Sequence, residues 1–270
     1  MEQQNGATLK VTRGKRIGLG VLGLVIVFLM AGPPDFAAAM IFTGWSDNLD
    51  GGAHQFHIVM RGVGGVVLTA IGLVLILRPQ WSLGVAKVAI ATGISYPVGG
   101  LLGLFVWPPV IIYPIVAVIV AGIIFAMFRH QLPGSAEMPS AVPSRMLLIT
   151  TAIIAVPLFG FALSEAALQR GPELVHGELG HWAGGAAMAV KIMLFGVFAS
   201  MKWPGWRVPA YSAAFSLLMF GFASIMMPNQ ASSVGELWGA LALLSGVAFV
   251  AVAEMEGRLA PKTAVQPVSG

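Results

Sequence analysis

Cysteine is missing from all 270 residues, which excludes disulfides, thiolate metal centres and cysteine nucleophiles and leaves the redox character of the compartment unread. Charge is scarce as well. Asp, Glu, Lys and Arg make up 10% of the chain, against roughly 25% in a soluble domain, so there is no polar shell for a soluble fold. No nucleophilic triad is recognisable. Gly18-Leu19-Gly20-Val21-Leu22-Gly23 has the spacing of a dinucleotide fingerprint, but it lies inside an apolar run with no strand before it, which removes the context that motif needs.

What the chain has is apolar sequence, 57% of it, gathered into blocks of about 18 to 25 residues, the length a helix needs to cross a hydrocarbon core. Lipid offers no hydrogen bonds, so a spanning backbone must satisfy itself as a helix or a closed barrel. Unbroken runs such as Val110–Phe128 lack the in-out alternation of a barrel strand. The expected fold is therefore all-α, a polytopic transmembrane bundle with spans near 17–39, 57–77, 83–106, 110–128, 146–166, 181–200, 208–227 and 234–254. Gly32-Pro33-Pro34-Asp35 interrupts the first of these. Its basic start, apolar run and Ala37-Ala38-Ala39 also resemble a secretory signal; it is read here as a retained helix.

The net charge of +4 does not point to nucleic acid, because the basic residues sit at span ends. With the N-terminus inside, the inner segments hold Lys10, Arg13, Lys15, Arg16, Arg78, Arg129, Arg145, Lys202, Arg207, Arg258 and Lys262, and the outer segments only Arg170. That is a strong positive-inside bias. It predicts a cell-membrane protein with both termini in the cytoplasm and an acidic outer side.

Residues 129–145, rich in Pro, Ser and Gly, form the longest inner loop and divide the chain into two groups of four spans. One constant shift places His57 on His181, Gly72 on Gly196 and Arg78 on Lys202. The expected organisation is a cytoplasmic tail (1–16), a first four-helix repeat (17–128), the linker (129–145), a second repeat (146–254) and a cytoplasmic tail (255–270). Four spans per unit give both repeats the same orientation.

Four of the five histidines fall on the predicted outer side: His54, His57, His176 and His181. They stand just before the second span of each half, and the repeat sets His54 against Glu178 and His57 against His181. Groups three residues apart share a helix face. The candidate metal- or ligand-binding set is therefore His54, His57, Glu178 and His181, with His176 beside it. Three imidazoles and a carboxylate suit a transition metal, and a haem is an alternative; helix capping at a water interface accounts for the same residues without a ligand.

Arg61 lies one turn below His57, on the same face. A membrane cation needs a partner or hydration, and its planar fork suits a carboxylate or phosphate; Asp47, Asp50 and Glu178 are alternative partners. Lys191 falls near the middle of the sixth span, with Glu165 as a candidate partner. Lys87 is read as snorkelling from the start of the third span. Gly62, Gly64 and Gly65, with Gly184 and Gly185, are expected to be close contacts between the second and sixth spans, and Pro97 and Pro114 to kink their helices. Trp45, Trp107, Trp182, Trp203 and Trp206 fall at predicted interfaces as belt anchors.

His176-Gly177, His181 shortly after, an apolar span, Trp206-Arg207 and then Tyr211-Ser212 form a pattern over residues 172–211. It resembles a bacterial multi-pass family described only as a domain of unknown function, which implies a membrane fold and no particular activity. Three function classes remain: a protein that holds a metal, haem or anionic small molecule in the His/Glu/Arg cluster; a transporter of a small solute; and a non-catalytic subunit or scaffold packed against partner spans or further copies of itself.

Overall fold

A computed structural model describes residues 9–32, 37–46, 54–105, 108–131, 143–171 and 177–259. It is an all-helical bundle with no strand among these residues. Eight helices are long and apolar enough to cross a bilayer: α1 (Arg13–Ala31), α3 (Gln55–Leu77), α4 (Ser82–Gly103), α5 (Pro108–Phe128), α6 (Arg145–Gln169), α7 (His181–Ser200), α8 (Arg207–Met226) and α9 (Gly235–Leu259). A short helix, α2 (Met40–Thr43), lies between α1 and α3.

The span boundaries hold to within a few residues except at the first. α1 stops at Ala31, and Gly32 is extended, with φ −95° and ψ 170°. A residue before proline is pushed out of the helical region, and Pro33 follows. Residues 37–43 do not extend α1; they turn and lie on α3. The reason is Gly62 and Gly65: a Cβ on Gly62 would fall 2.1 Å from the Ile41 nitrogen, and one on Gly65 2.4 Å from the Ala37 carbonyl carbon. These two glycines thus receive the backbone of 37–41, not the sixth span expected for them. Of the same group, Gly185 abuts Glu165, Gly184 meets nothing, and Gly64 alone looks toward α7.

α3, α4, α7 and α8 form the interior, while α1, α5, α6 and α9 stand outside and are largely exposed on their outward faces. Small residues let the inner helices approach: a Cβ on Gly99 of α4 would meet the Ala183 carbonyl of α7 at 2.6 Å, and Gly221 of α8 and Gly239 of α9 lie backbone to backbone. With lipid as apolar as leucine, such close packing substitutes for hydrophobic drive. Trp182 and Trp206 are buried in this interior, unlike the belt anchors expected; Trp203 is exposed, and Trp107 lies outside the described residues. Pro97 and Pro114 sit inside unbroken helices.

At the end of the bundle where residues 129–145 leave and return, Ser144 organises the contacts. Its Oγ caps α6 by accepting from the Leu147 N–H at 3.1 Å and donates to Glu256 at 2.6 Å, and its own N–H donates to the Ser200 carbonyl at 2.7 Å. Lys202 pairs with the same Glu256 at 2.8 Å. Lys87 does not snorkel: it is buried and donates to the Pro204 carbonyl at 2.9 Å.

Candidate functional site: a cationic cleft beneath three histidines

His54 stands immediately before α3, and His57 and Arg61 follow it down one face at helical spacing. α7 begins at His181, after Gly180 in the left-handed region with φ 68°. No side chain of its own first turn caps α7. Gln169, at the end of α6, does so: its Oε1 accepts from the Ala183 N–H at 3.0 Å, and its Nε2 donates to the Gly177 carbonyl at 2.8 Å. That clamp fixes the start of α7 and so the height of His181. Gln169 carries no motif by which the sequence could announce this role.

The two helix starts bring three of the four expected ligands together. The Nδ1 atoms of His54 and His181 are 3.3 Å apart, and the His57 ring stacks on His181 at 4.7 Å and 26°. Glu178 is not among the side chains these contacts join: it is exposed just before Gly180. His176, Asp47 and Asp50 lie outside the described residues. Among the described residues no group of three or more His, Asp or Glu side chains is arranged to hold a metal ion. Stacking is the physical reason, since two parallel rings cannot both aim a nitrogen lone pair at a common centre. The His54–His181 contact is an N–H···N hydrogen bond, one ring donating and the other accepting.

Below the histidines the helices part. α1 packs on α3 and α5 packs on α4; among the described residues α1 and α5 touch only slightly, with Met127 against Gly18 and the Lys15 ammonium 4.6 Å above the Phe128 ring. The space between them is a cleft of about 610 Å³, backed by α7. Its volume falls within the roughly 300–1,000 Å³ of small-molecule sites. His57 and His181 stand at its upper wall, Arg61 faces it from α3 and Lys191 from α7, and Tyr96 and Tyr113 from α4 and α5. No Asp or Glu lines it among the described residues.

These polar groups form one patch. The Lys191 ammonium lies 5.7 Å from the Tyr96 ring centre, and a Cβ on Gly64, one turn beyond Arg61, would lie 3.5 Å from it. Tyr96 stacks on Tyr113 at 4.1 Å and 9°, shares a hydrogen bond with it, and feels the Arg61 charge. Glu165 is not the partner of Lys191. It is buried on α6, pressed against Gly185, and accepts from Ser232 Oγ at 2.6 Å. Among the described residues no carboxylate pairs with Lys191, which is 6% exposed. Arg61, Lys191, Tyr96 and Tyr113 thus share the cleft with His57, His181, Thr92 and Ser232, and the rest of its described lining is apolar or glycine.

Between α6 and α7 on one side and α8 and α9 on the other, the space is only about 10 Å³, lined by Thr151, Leu158, Ile192, Leu217 and Phe249 among others. Comparison with protein families, curated proteins and solved structures returned no match.

Proposed function

We propose that this membrane protein binds a ligand carrying a carboxylate or phosphate in the cleft, with Arg61 and Lys191 holding the anion. The observation that carries this reading is Lys191, buried without a carboxylate partner among the described residues on a cleft that Arg61 also lines. Such a cation in the membrane costs at least about 2 kcal/mol unless paired or hydrated, and an anionic ligand would supply the pair. Arg61 offers a planar fork that takes two oxygens of one carboxylate or phosphate, and Lys191 a point charge. The tyrosine pair adds hydroxyl donors.

Orientation belongs to the same proposal. The basic rim at Lys10–Arg16, Arg78, Arg129, Arg145 and Arg258 supports a cytoplasmic position for that end and for both termini, in a cell membrane. The histidines and the mouth of the cleft then face outward. Two four-helix repeats are supported by the division into inner helices α3, α4, α7, α8 and outer helices α1, α5, α6, α9, and by His57 stacked on His181, the residue that the sequence shift assigns to it.

The test is mass spectrometry of the protein purified in mild detergent, with Arg61→Gln and Lys191→Gln beside it. An anionic small molecule should accompany the wild type and be lost from both variants. Equal recovery from all three would overturn the reading.

A metal at the histidines is a second reading, favoured by one distance. Two imidazole nitrogens bound to one tetrahedral ion at about 2.0–2.1 Å lie about 3.3 Å apart, the separation of His54 Nδ1 and His181 Nδ1. Elemental analysis of the same preparation decides it: near-stoichiometric zinc, copper or iron that is lost in His181→Ala supports this reading, and metal-free protein rejects it.

A further inference from the structure

We propose that Glu165 is a proton-binding site inside the membrane and that it exchanges its proton with the cleft through the Ser232 hydroxyl. Such exchange requires no ligand in the cleft, so it stands apart from anion binding.

The seat of the carboxyl is built from two other elements. Glu165 is 1% exposed and lies within the membrane-spanning helix α6. α7 makes room for it by lacking a side chain, since a Cβ on Gly185 would overlap Glu165 Oε2. The same oxygen accepts from Ser232 Oγ at 2.6 Å. Ser232 has φ 65°, in the left-handed region that a serine seldom enters. Such a conformation persists only where its surroundings enforce it. Here they do: beside it the Ser233 N–H donates to the Gln230 carbonyl at 3.0 Å and Ser233 Oγ to the Ser224 carbonyl at 3.2 Å.

No cation neutralises this carboxyl. The helices packed on α6 are α7, α4 and α9. Their titratable and charged side chains are His181 and Lys191 on α7, Lys87 and Tyr96 on α4, and Glu236, Glu254, Glu256 and Arg258 on α9; α6 and its C-cap add Arg145 and Arg170. Among the described residues the partner of Glu165 is Ser232, and none of these groups bonds to it. Outside the described residues the sequence offers only His176, Lys262 and the amino terminus as further cations. An isolated carboxylate in apolar surroundings is too costly to keep its charge, and binding a proton removes that cost. Ionisable side chains within spans mark functional sites, proton relays among them.

Ser232 supplies the route. It lines the cleft together with His57, His181, Gly184 and Gly185, and a hydroxyl donates and accepts at once. Water in the cleft gives a proton to Ser232 Oγ as Ser232 passes its own to Glu165 Oε2. Release runs the same steps backwards, and only O–H bonds form and break.

The full chain in phosphatidylcholine nanodiscs, followed by infrared spectroscopy, provides the test. The C=O stretch of a protonated carboxyl should be present at neutral pH, shift on transfer to heavy water, and vanish in Glu165→Gln. Ser232→Gly removes the hydroxyl and suits the positive φ. Gly184→Leu fills cleft space where nothing lies within 4 Å. Each should slow the shift about tenfold or more. Gly160→Leu, equally open but on the exposed face of α6, should leave it unchanged. If Glu165→Gln does not fold, the wild type decides: an apolar carbodiimide, which reacts with protonated acids, should form its adduct at Glu165 in peptide mapping, and less of it as the pH rises. A wild type with neither band nor adduct overturns the site. Exchange at the wild-type rate in either Ser232→Gly or Gly184→Leu overturns the route.

Discussion

His54 and His181 are 127 residues apart in the chain, and their Nδ1 atoms lie 3.3 Å apart. Each ring stands at the start of its helix, so the contact ties the first half of the bundle to the second at one end. One such bond contributes about 1 kcal/mol net. His54→Ala and His181→Ala should each lower the unfolding free energy by about that amount, and the double variant by less than their sum, because residues in contact couple. Urea titration of the detergent-solubilised protein gives the cycle; strict additivity would mean that the contact contributes nothing.

The seat of residues 37–41 on α3 is sensitive to a single methyl group. Gly62→Ala and Gly65→Ala would press a Cβ into the Ile41 and Ala37 backbone, and overpacking of this kind costs about 1–3 kcal/mol. Gly20→Ala, where nothing lies within 4 Å, should be neutral. Thermal unfolding of the three variants makes the comparison, and equal midpoints would deny the docking of this segment.

Lys191→Met should separate stability from binding. Without a carboxylate partner among the described residues, this buried cation destabilises the empty protein, so removing it should raise the melting temperature of ligand-free material while abolishing retention of the anion. A Lys191→Met protein that melts lower when empty would show that the lysine is held by a structural contact.

Ser144 should be the most costly single residue at the linker end. It caps α6 and donates to Glu256. Loss of an N-cap costs about 1 kcal/mol, and loss of a bond to a charged group about 1.5–3 kcal/mol. Ser144→Ala should therefore destabilise more than Lys202→Ala, whose pair with Glu256 is partly solvent-exposed and worth at most about 1 kcal/mol. The reverse order in a chemical denaturation series would mean that the ion pair dominates.

The absence of cysteine makes orientation directly testable. Ser140→Cys, in the linker, should resist a membrane-impermeant maleimide in intact cells and react once they are opened. Labelling of intact cells would invert the proposed arrangement and turn the histidines inward.

The eight spans were legible because each is a long apolar block, and block length against bilayer thickness needs no knowledge of packing. The meeting of His54, His57 and His181 was legible for a similar reason, since all three stand at helix starts that the charge pattern assigns to one side. What failed was pairwise. Nothing local tells Gly62 whether its neighbour is a distant helix or the returning backbone at Ile41, and nothing tells Glu165 that Ser232, rather than Lys191, will be within reach. Trp182 and Trp206 have the composition of interface anchors and the burial of core residues, a difference set by which inner helix they face. The cleft was illegible altogether, because an empty space is a property of how α1–α3 and α4–α5 diverge and not of any residue in them.

α5 rests on α4, with Gly93 against Ala117 and Tyr96 flat on Tyr113, and among the described residues its next contact is a slight one with α1, where Met127 meets Gly18. It is therefore a wall fastened along a single seam. An outward swing of this helix about its foot at Met127 would break few bonds and widen the cleft beside Val116, whereas a matching movement of α9 would have to tear open a tightly packed interior around Phe249. Mechanical compliance in this protein is thus lopsided: one half can yield, and the other gives it something to yield against.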